Sequence, residues 1–593
     1  MKTQPKNFDA VIHNEAYTQD YAGKNITHTG MLTDAGRQTE MLSGEWNFTV
    51  DQYDMALRSQ WHLEETHDKT GRPLPLDYDY DQWETVHVPS CWNLARPEYF
   101  YFESCGIYTR KFAYAEQAAG ERVFLKIGAA SYHAKVFLNK QFLGSHDGAS
   151  TPFYIEVTDV LEADNRLVIN IENRRQPDRV PMHNTDWFNY GGLYRDVELI
   201  RVPGTFIKDF YCQLQKDRNF GMLDLRVTID GPDRDGEGLL EIEELGIKEI
   251  ITIKDGTASV SIPASPELWS PDNPKLYTVK FSCGSDSITE EIGFREFTVK
   301  GTDLYLNGDK ILFKGIACHE ESVLNGKAIT EEEITENFRL AKEMNCNYLR
   351  LAHYPHTEKA AQIADRMGLM LWEEIPVYWS IDFENEATYN DAENQLIEMI
   401  KRDRNRASVV IWSVGNENAD TEARYNFMTR LVDAARRTDN SRAISAACLS
   451  DKIDLFINDR LAEHLDIIGI NQYYGWYDPD FSKLEKLFAN SNPDKPVLIT
   501  EFGGGAKAGH HGATDEYFTE EHQRALYEKQ VETMGRIPYI KGISPWILFD
   551  FRCPRRTNPQ QNHYNRKGLL NQDKTAYKPA FFVMQEFYAN WNL

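Results

Sequence analysis

From residue 299 to the end of the chain, short apolar runs alternate with amphipathic stretches, and this alternation restricts the fold more than any other feature. The runs are ILFKGIAC, NYLRLA, LMLWEE, SVVIWSVGNE, RAISAA, IIGINQYY, PVLITEF and ISPWILFDF. Between them lie helical segments such as ITEEEITENFRLAKEMN, in which Ile334, Phe338, Ala341 and Met344 share one stripe. KPAFFVMQEFYANW supplies a closing helix. Eight strands, seven intervening segments and a last helix predict a (β/α)8 TIM barrel over residues 299–593. Such barrels carry their chemistry at the C-terminal ends of the strands, so the polar residues there are the ones to question.

At 593 residues the chain exceeds what one core holds, since single cores stop growing near about 250–300 residues. Residues 1–203 read as an all-β sandwich, with β-rich runs such as VFLKIGAA, AKVFLNKQFLG and RLVINIEN between closely spaced turns. Residues 204–298 read as a second, smaller sandwich of immunoglobulin type. In LDLRVTIDG, Leu223, Leu225, Val227 and Ile229 alternate onto one face. Residues 52–86 are polar and rich in turn formers, which predicts a long surface loop.

A net charge of -26 excludes a nucleic-acid partner and sets a repulsive mean field against any anionic substrate. Such a substrate needs a local cationic site, which screening beyond about 8 Å permits. The opening MKTQPKNFDAVIHNEAYTQDY has no apolar stretch of signal-peptide type, and no run is long enough to span a membrane. The eight cysteines are dispersed without a C-x-x-C pair and read as free thiols of a reducing compartment, so the expected location is the cytoplasm. The sequons at Asn25 and Asn47 then read as chance matches. No metal motif is present: His319-Glu320-Glu321-Ser322-Val323 is not H-E-x-x-H, and His510-His511 lack partner spacing.

Glutamates end the fourth and the seventh of the predicted strands. The fourth closes on Trp412-Ser413-Val414-Gly415-Asn416-Glu417, and the seventh on Ile499-Thr500-Glu501-Phe502-Gly503. A carboxyl pair at one site is what glycoside hydrolysis requires: one group protonates the leaving oxygen, and in retaining enzymes the other attacks the anomeric carbon from roughly 5–5.5 Å away. One strand-end Glu alone is as readily a helix cap or an arginine's partner; two, one of them preceded by Asn, are not. The residues by themselves do not say which glutamate takes which role. Glu373 and Glu374 end the third strand as a further pair, read as support by hydrogen bonding rather than catalysis.

The chain resembles glycoside hydrolase family 2, and within it the β-glucuronidases, over nearly its whole length. The resemblance rests on ordered signposts: Leu268-Trp269-Ser270-Pro271 with Leu276-Tyr277, Gly293-Phe294-Arg295, Leu306-Asn307-Gly308, Lys314-Gly315 leading to His319-Glu320, Leu349-Arg350-Leu351-Ala352-His353-Tyr354-Pro355, Gly415-Asn416-Glu417 and Thr500-Glu501-Phe502-Gly503. It implies a sugar-binding-like jelly-roll sandwich, an immunoglobulin-like sandwich and a catalytic barrel, with Glu417 as acid/base and Glu501 as nucleophile. It further implies that Asn416 holds the sugar's 2-hydroxyl, that Tyr473 hydrogen-bonds the nucleophile, and that Asn471 and Tyr477 contact the sugar. Tyr474 and Trp476 read as packing at the barrel top. Asp186 matches a position where the first domain reaches the sugar, and Trp546, ending strand eight, matches the pocket floor. For His319 and His353, pocket lining and a purely structural role stay open.

Asn565-Arg566-Lys567 matches the N-x-K motif that separates the family's uronidases from its neutral-sugar members. A uronic acid carries a C6 carboxylate whose burial calls for a cation and a donor, here Lys567 and Asn565. The pattern departs from the bacterial type four residues before Asn565, where Gln561 replaces an arginine; Arg552, Arg555 and Arg556 lie upstream. This leaves β-galacturonidase, or action on both uronides, as the alternative, with β-galactosidase and a carbohydrate-binding pseudoenzyme behind it. Only SIDFENEATYNDA lies between Trp379 and Glu393, so an open site is expected. The resemblance implies uronide substrates, small or oligosaccharide, a homo-oligomer (dimer or tetramer) and no cofactor for catalysis. Some relatives with an insertion in the first domain bind a flavin nucleotide away from the active site; residues 52–86 offer room for one, but no residue pattern marks it.

Overall fold

The computed structural model describes residues 21, 23–65, 67, 70–73, 78–115 and 120–593. The leaderless reading of the first residues falls on 1–20, outside the described residues. Two compact units are formed among the described residues: those up to Met31 with Gln38–Arg174 and Asn189–Val202 in one, and Leu32–Arg37, Arg175–Phe188 and Pro203–Leu593 in the other.

The first unit is a β-sandwich. A four-stranded sheet (Thr39–Met41, Val197–Val202, Arg122–Ile127, Phe153–Glu156) faces a six-stranded one (Glu84–Val88, Gly44–Asp51, Cys105–Ala113, Asp164–Glu172, His133–Leu138, Gln141–Asp147), all neighbours antiparallel. Strand Asp164–Glu172 shows why the core forms. Leu167, Ile169 and Ile171 alternate into the space between the sheets with Trp46, Phe48 and Leu125. Val168 points the other way, and with Ile107 and Phe137 it makes the outer face apolar as well. Described residues between 52 and 83 pack on that face, which corrects the reading of residues 52–86 as a surface loop. Ala56, His62 and Tyr80 are buried, Tyr80 meets Trp83 edge-on, and Trp61 stacks on Tyr78 with ring centroids 4.7 Å apart. The segment is polar by count, but its few aromatics satisfy a sheet that is apolar on both sides.

In the second unit, residues 206–292 form the smaller sandwich. Three strands (Phe206–Leu214, Met222–Asp230, Thr257–Pro263) oppose four (Ile247–Ile253, Gly236–Ile242, Tyr277–Cys283, Asp286–Ile292). Leu223, Leu225, Val227 and Ile229 all face its core, as their alternation predicts.

The barrel closes through eight parallel strands: Phe313–Cys318, Tyr348–Leu351, Met370–Glu374, Val409–Asn416, Ala443–Cys448, Ile468–Gln472, Val497–Phe502 and Ile540–Ile543. Helix Glu331–Glu343 illustrates the outer layer. A capping box between Thr330 and Glu333 starts it, and Ile334, Phe338 and Ala341 bury the predicted stripe, with Met344 at its C-cap. Two expectations shift. The eighth strand ends at Ile543, so Trp546 lies three residues beyond it; the apolar run WILFDF is buried outside the barrel ladder, with Phe551 pairing Asn565 in a two-stranded piece and Phe549 bridging Leu570. Between strands five and six there is only the 3-10 turn Arg460–Glu463 in place of a helix. All eight cysteines are free, and seven are buried. No helix among the described residues is long and apolar enough to cross a membrane.

Candidate active site

Strand ends four and seven converge on a cavity of about 540 Å³ lined by Glu417 and Glu501 together with Asp186, His353, Tyr378, Trp379, Asn471, Tyr473, Tyr477, Trp546 and Lys567. Local irregularity aims the two carboxyls. The ladder slips by one residue between Ile470 and Asn471, so that Asn471 pairs with Glu501, and slips again between Ser413 and Asn416. Glu417 follows its strand with φ at +52°, a conformation L-residues adopt only when the surroundings hold them there. Its amide donates to Ala447 O at 2.8 Å, and Asn416 exchanges backbone bonds with Val377 and Trp379 at 2.9 Å each. Trp379 is thereby brought beside Glu417 and donates its indole N–H to Oε2 at 2.8 Å.

Glu501 is gripped from two sides. Arg350 Nη1 donates to Oε1 at 2.7 Å and the Tyr473 hydroxyl to Oε2 at 2.6 Å. Arg350 is fully buried and also serves Glu374 through Nε and Nη2 at 3.1 Å, and Asn416 Oδ1 at 2.8 Å. A buried guanidinium is tolerable only when such partners replace water. Glu374 accepts in addition from Trp372 Nε1 and pairs with His353 Nδ1, both at 2.7 Å. Burial would raise its pKa, but Arg350 and His353 hold it below the ordinary range. Burial, and after it the negative charge of Glu501, push the Glu417 carboxyl above that range.

Asn416 has its Oδ1 saturated by Arg350 and by Asn471 Nδ2 at 3.2 Å, while its own buried Nδ2 meets no acceptor among the described residues. Thr500 Oγ1, donating to Asn471 Oδ1 at 2.6 Å, fixes the Asn471 amide. Trp546 lies 4.7 Å from His353 in a stacked arrangement. His319 is not in the cavity wall. It is buried with Nδ1 3.1 Å from the Tyr354 hydroxyl and edge-on to Trp546, and burial lowers its pKa well below the usual value. Trp476 packs on Tyr517, Phe518 and His522, whereas Tyr474 also reaches the cavity.

The cationic side centres on Lys567, which is buried, donates to the Tyr477 hydroxyl at 2.7 Å and lies over the rings of Tyr473 and Tyr477. No carboxylate among the described residues comes within 4.0 Å of its ammonium. Asp186, carried by Arg175–Phe188 in the unit that holds the barrel, is taken instead by Arg556 at 2.5 Å, with Arg555 at 3.7 Å and Cys553 Sγ at 3.2 Å. Burial would raise the Asp186 pKa, but Arg556 pulls it below its usual value. Asn565 is fully buried and donates to Asp186 Oδ2 at 3.1 Å, so it positions Asp186 rather than facing the cavity. Arg552 is spent on the Ser322 and Val323 carbonyls, and Gln561 on Asn558.

Reading the sequence alone misses Arg350, Trp379 and Tyr378 as site residues. Arg350 had a signal: a charged residue in the middle of an apolar barrel strand must have internal partners. Nothing local marks Trp379.

A closed eight-stranded barrel with two glutamates at its strand ends is the arrangement of a glycoside hydrolase, and family models agree. Glycosyl hydrolases family 2 matches through its sugar binding domain over residues 39–203, a model described simply as glycosyl hydrolases family 2 over 205–295, and its TIM barrel domain over 297–593. The chain belongs to this family. A β-glucuronidase of Paenibacillus borealis is 28% identical, covering 91% of this chain and 95% of its own length. The solved structure of Bifidobacterium dentium β-glucuronidase complexed with coumarin-3-O-glucuronide is 26% identical with a TM-score of 0.83, covering 94% of this chain and 98% of that one. A β-galacturonidase of Eisenbergiella tayi bound to galacturonate shares the fold at 24% identity and a TM-score of 0.80, covering 96% and 99%.

Proposed function

We propose that the protein is a retaining β-glucuronidase that releases terminal β-D-glucuronic acid from glucuronide conjugates or glucuronic-acid-capped oligosaccharides. The observation that carries this reading is the buried Lys567 ammonium, which has no carboxylate among the described residues within 4.0 Å and shares one cavity with Glu417 and Glu501. An ammonium left in this state calls for an anion from the substrate, and a C6 carboxylate is that anion. The likeness to β-glucuronidases of P. borealis and B. dentium supports the same substrate.

In this reading Glu501, positioned by Arg350 and Tyr473, attacks the anomeric carbon as Glu417 gives its proton to the leaving oxygen. The C–O bond to the aglycone breaks and an ester to Glu501 forms. Glu417, now ionised, takes a proton from water, which attacks the same carbon and frees Glu501. The unsatisfied Asn416 Nδ2 supplies a donor for the 2-hydroxyl, a contact that tightens in the transition state. The chemistry runs on side chains and takes no cofactor.

Turnover of nitrophenyl β-glucuronide, β-galacturonide and β-galactoside tests the reading. The glucuronide is expected to lead the galacturonide by about 10-fold or more in kcat/KM, with the galactoside far behind. The reverse order of the uronides would make the protein a β-galacturonidase, and a leading galactoside would remove Lys567 from substrate choice. Glu501→Ala should lose about 10⁴-fold or more in rate, with azide restoring turnover as the inverted glycosyl azide.

A further inference from the structure

Two cations of the cavity wall, Lys452 and Arg555, take no part in holding the sugar as described above. Lys452 is exposed, and no carboxylate among the described residues comes within 4.0 Å of its ammonium. It sits with Leu449 and Ser450 on the loop that follows strand Ala443–Cys448. The Ala447 carbonyl of that strand accepts the Glu417 amide, so this loop borders the group that serves the leaving oxygen. Arg555 arrives at the same group by another route. Its guanidinium lies 5.2 Å from the ring centroid of Trp379, whose indole donates to Glu417. A guanidinium laid on an indole keeps its edge donors for a third group. One of them reaches Asn184 Oδ1 at 3.2 Å, yet the side chain remains 44% exposed.

The charge balance points the same way. Four lysines and arginines of the cavity wall stand against four acids, and burial favours the neutral form of one acid, Glu417. The cavity is therefore cationic within a chain of net charge -26. Glu501 is met by Arg350 and Asp478 by Lys483, neither of them in the cavity wall. Once Lys567 is matched by the uronide carboxylate and Asp186 is taken at 2.5 Å by Arg556, Lys452 and Arg555, the latter 3.7 Å from Asp186, are left as the excess. Both line the cavity that holds Glu417, Arg555 over the indole that donates to it and Lys452 on the loop beyond the strand that accepts its amide, so a focused positive field acts there on whatever is attached to the sugar.

We propose that the leaving-group side takes an anionic aglycone, in which a carboxylate or sulfate on the residue linked to the glucuronide pairs with Arg555 and Lys452. The inference rests on the glucuronidase reading and specifies the part of the substrate that reading leaves open. Its test compares kcat/KM for aryl β-glucuronides of matched leaving-group pKa, one neutral and one bearing a carboxylate. A second arm compares glucuronosyl-galactose with its sulfated and its galacturonic acid counterparts, which separates sulfate from carboxylate as the source of charge. Wild type is expected to favour the anionic member by about 10-fold, with the preference shrinking as salt is added. Arg555→Gln and Lys452→Gln should each cut that ratio several-fold, and Arg555→Lys should retain most of it. Lys452 lies on an exposed loop, so its variant keeps the test open if the Arg555 variant fails to fold. A ratio near one in wild type, or one unchanged in both Gln variants, overturns the inference. Failure to cleave any of these glucuronides overturns the underlying glucuronidase reading instead.

Discussion

Lys567 hydrogen-bonds a phenol, lies over two rings and has no carboxylate among the described residues within ion-pair distance, so a substrate carboxylate is free to take its charge. In Lys567→Ala a bound uronide would bury its carboxylate without a cation, at about 3–5 kcal/mol, or some 10²–10³-fold or more in kcat/KM. A neutral glycoside loses no such contact and is expected to fare no worse. The check is the uronide-to-neutral ratio of kcat/KM in wild type and variant; an unchanged ratio would hand the carboxylate to Arg555 and Arg556. Trp379 permits a test through pH. Burial and Glu501 raise the Glu417 pKa, while the Trp379 indole opposes them by stabilising the carboxylate. Trp379→Phe removes that opposition, so the pKa rises further. Activity that needs protonated Glu417 is lost as pH climbs through this pKa. The falling, alkaline limb of kcat/KM should therefore move to higher pH in the variant. A limb that stays or moves down would show that another group titrates there.

The elements place these side chains by departing from regularity at the strand ends. Gly415 precedes Asn416 and Glu417, and a Cβ there would lie 2.7 Å from Asn418 Oδ1 and Met428 Cε and 2.9 Å from the Val377 carbonyl. The carbonyl belongs to the segment that positions Trp379, so it cannot yield without moving the site. Gly415→Ala is expected to cost about 1–3 kcal/mol of stability through overpacking. Its larger effect falls on turnover, about 10²-fold in kcat/KM, because displacing Glu417 by about an ångström spoils the reacting geometry. Circular dichroism alongside kinetics separates the two; a fully active variant would show that the turn has slack.

Within the larger unit, the smaller sandwich and the barrel share buried contacts that reach the active strand. Arg295, which follows the sandwich's last strand, is buried and donates to the carbonyls of Ala407 and Val409, the latter opening the strand that leads to Glu417. Asn405 accepts from the Cys212 amide at 3.1 Å, Arg406 pairs with Glu290, and Trp269 Nε1 donates to Asp365 O at 2.8 Å. Arg295→Ala removes the guanidinium from the Ala407 carbonyl and leaves that of Val409 to Arg442 Nε, at about 1–3 kcal/mol. The expected result is a Tm lower by several degrees, read by calorimetry, with kcat at 25 °C changed only a few-fold since no catalytic contact is removed. An unchanged Tm would mean that these carbonyls find other donors.

The order of the elements, the barrel, and the strand-end positions of Glu417 and Glu501 were all legible in the amino-acid sequence. So was the outlying Asn565-Arg566-Lys567 motif. Strand alternation and helix stripes are written in spacings of two to four residues, and a motif is as short, so both survive without a structure. What each polar group does depended on partners far away in the chain. Arg350 meets Glu501 across 151 residues and Arg556 meets Asp186 across 370. Only barrel closure makes Arg350 the hub of the site, turns Asn565 toward Asp186, and brings Trp379 to Glu417 with Arg555 over its ring. The same holds for residues 52–86, whose aromatics found their place because a sheet apolar on both faces needed cover. Composition and period record how a segment meets its own neighbours; which distant side chains share a desolvated space is decided by the closed tertiary structure, where every buried polar group must find its partner.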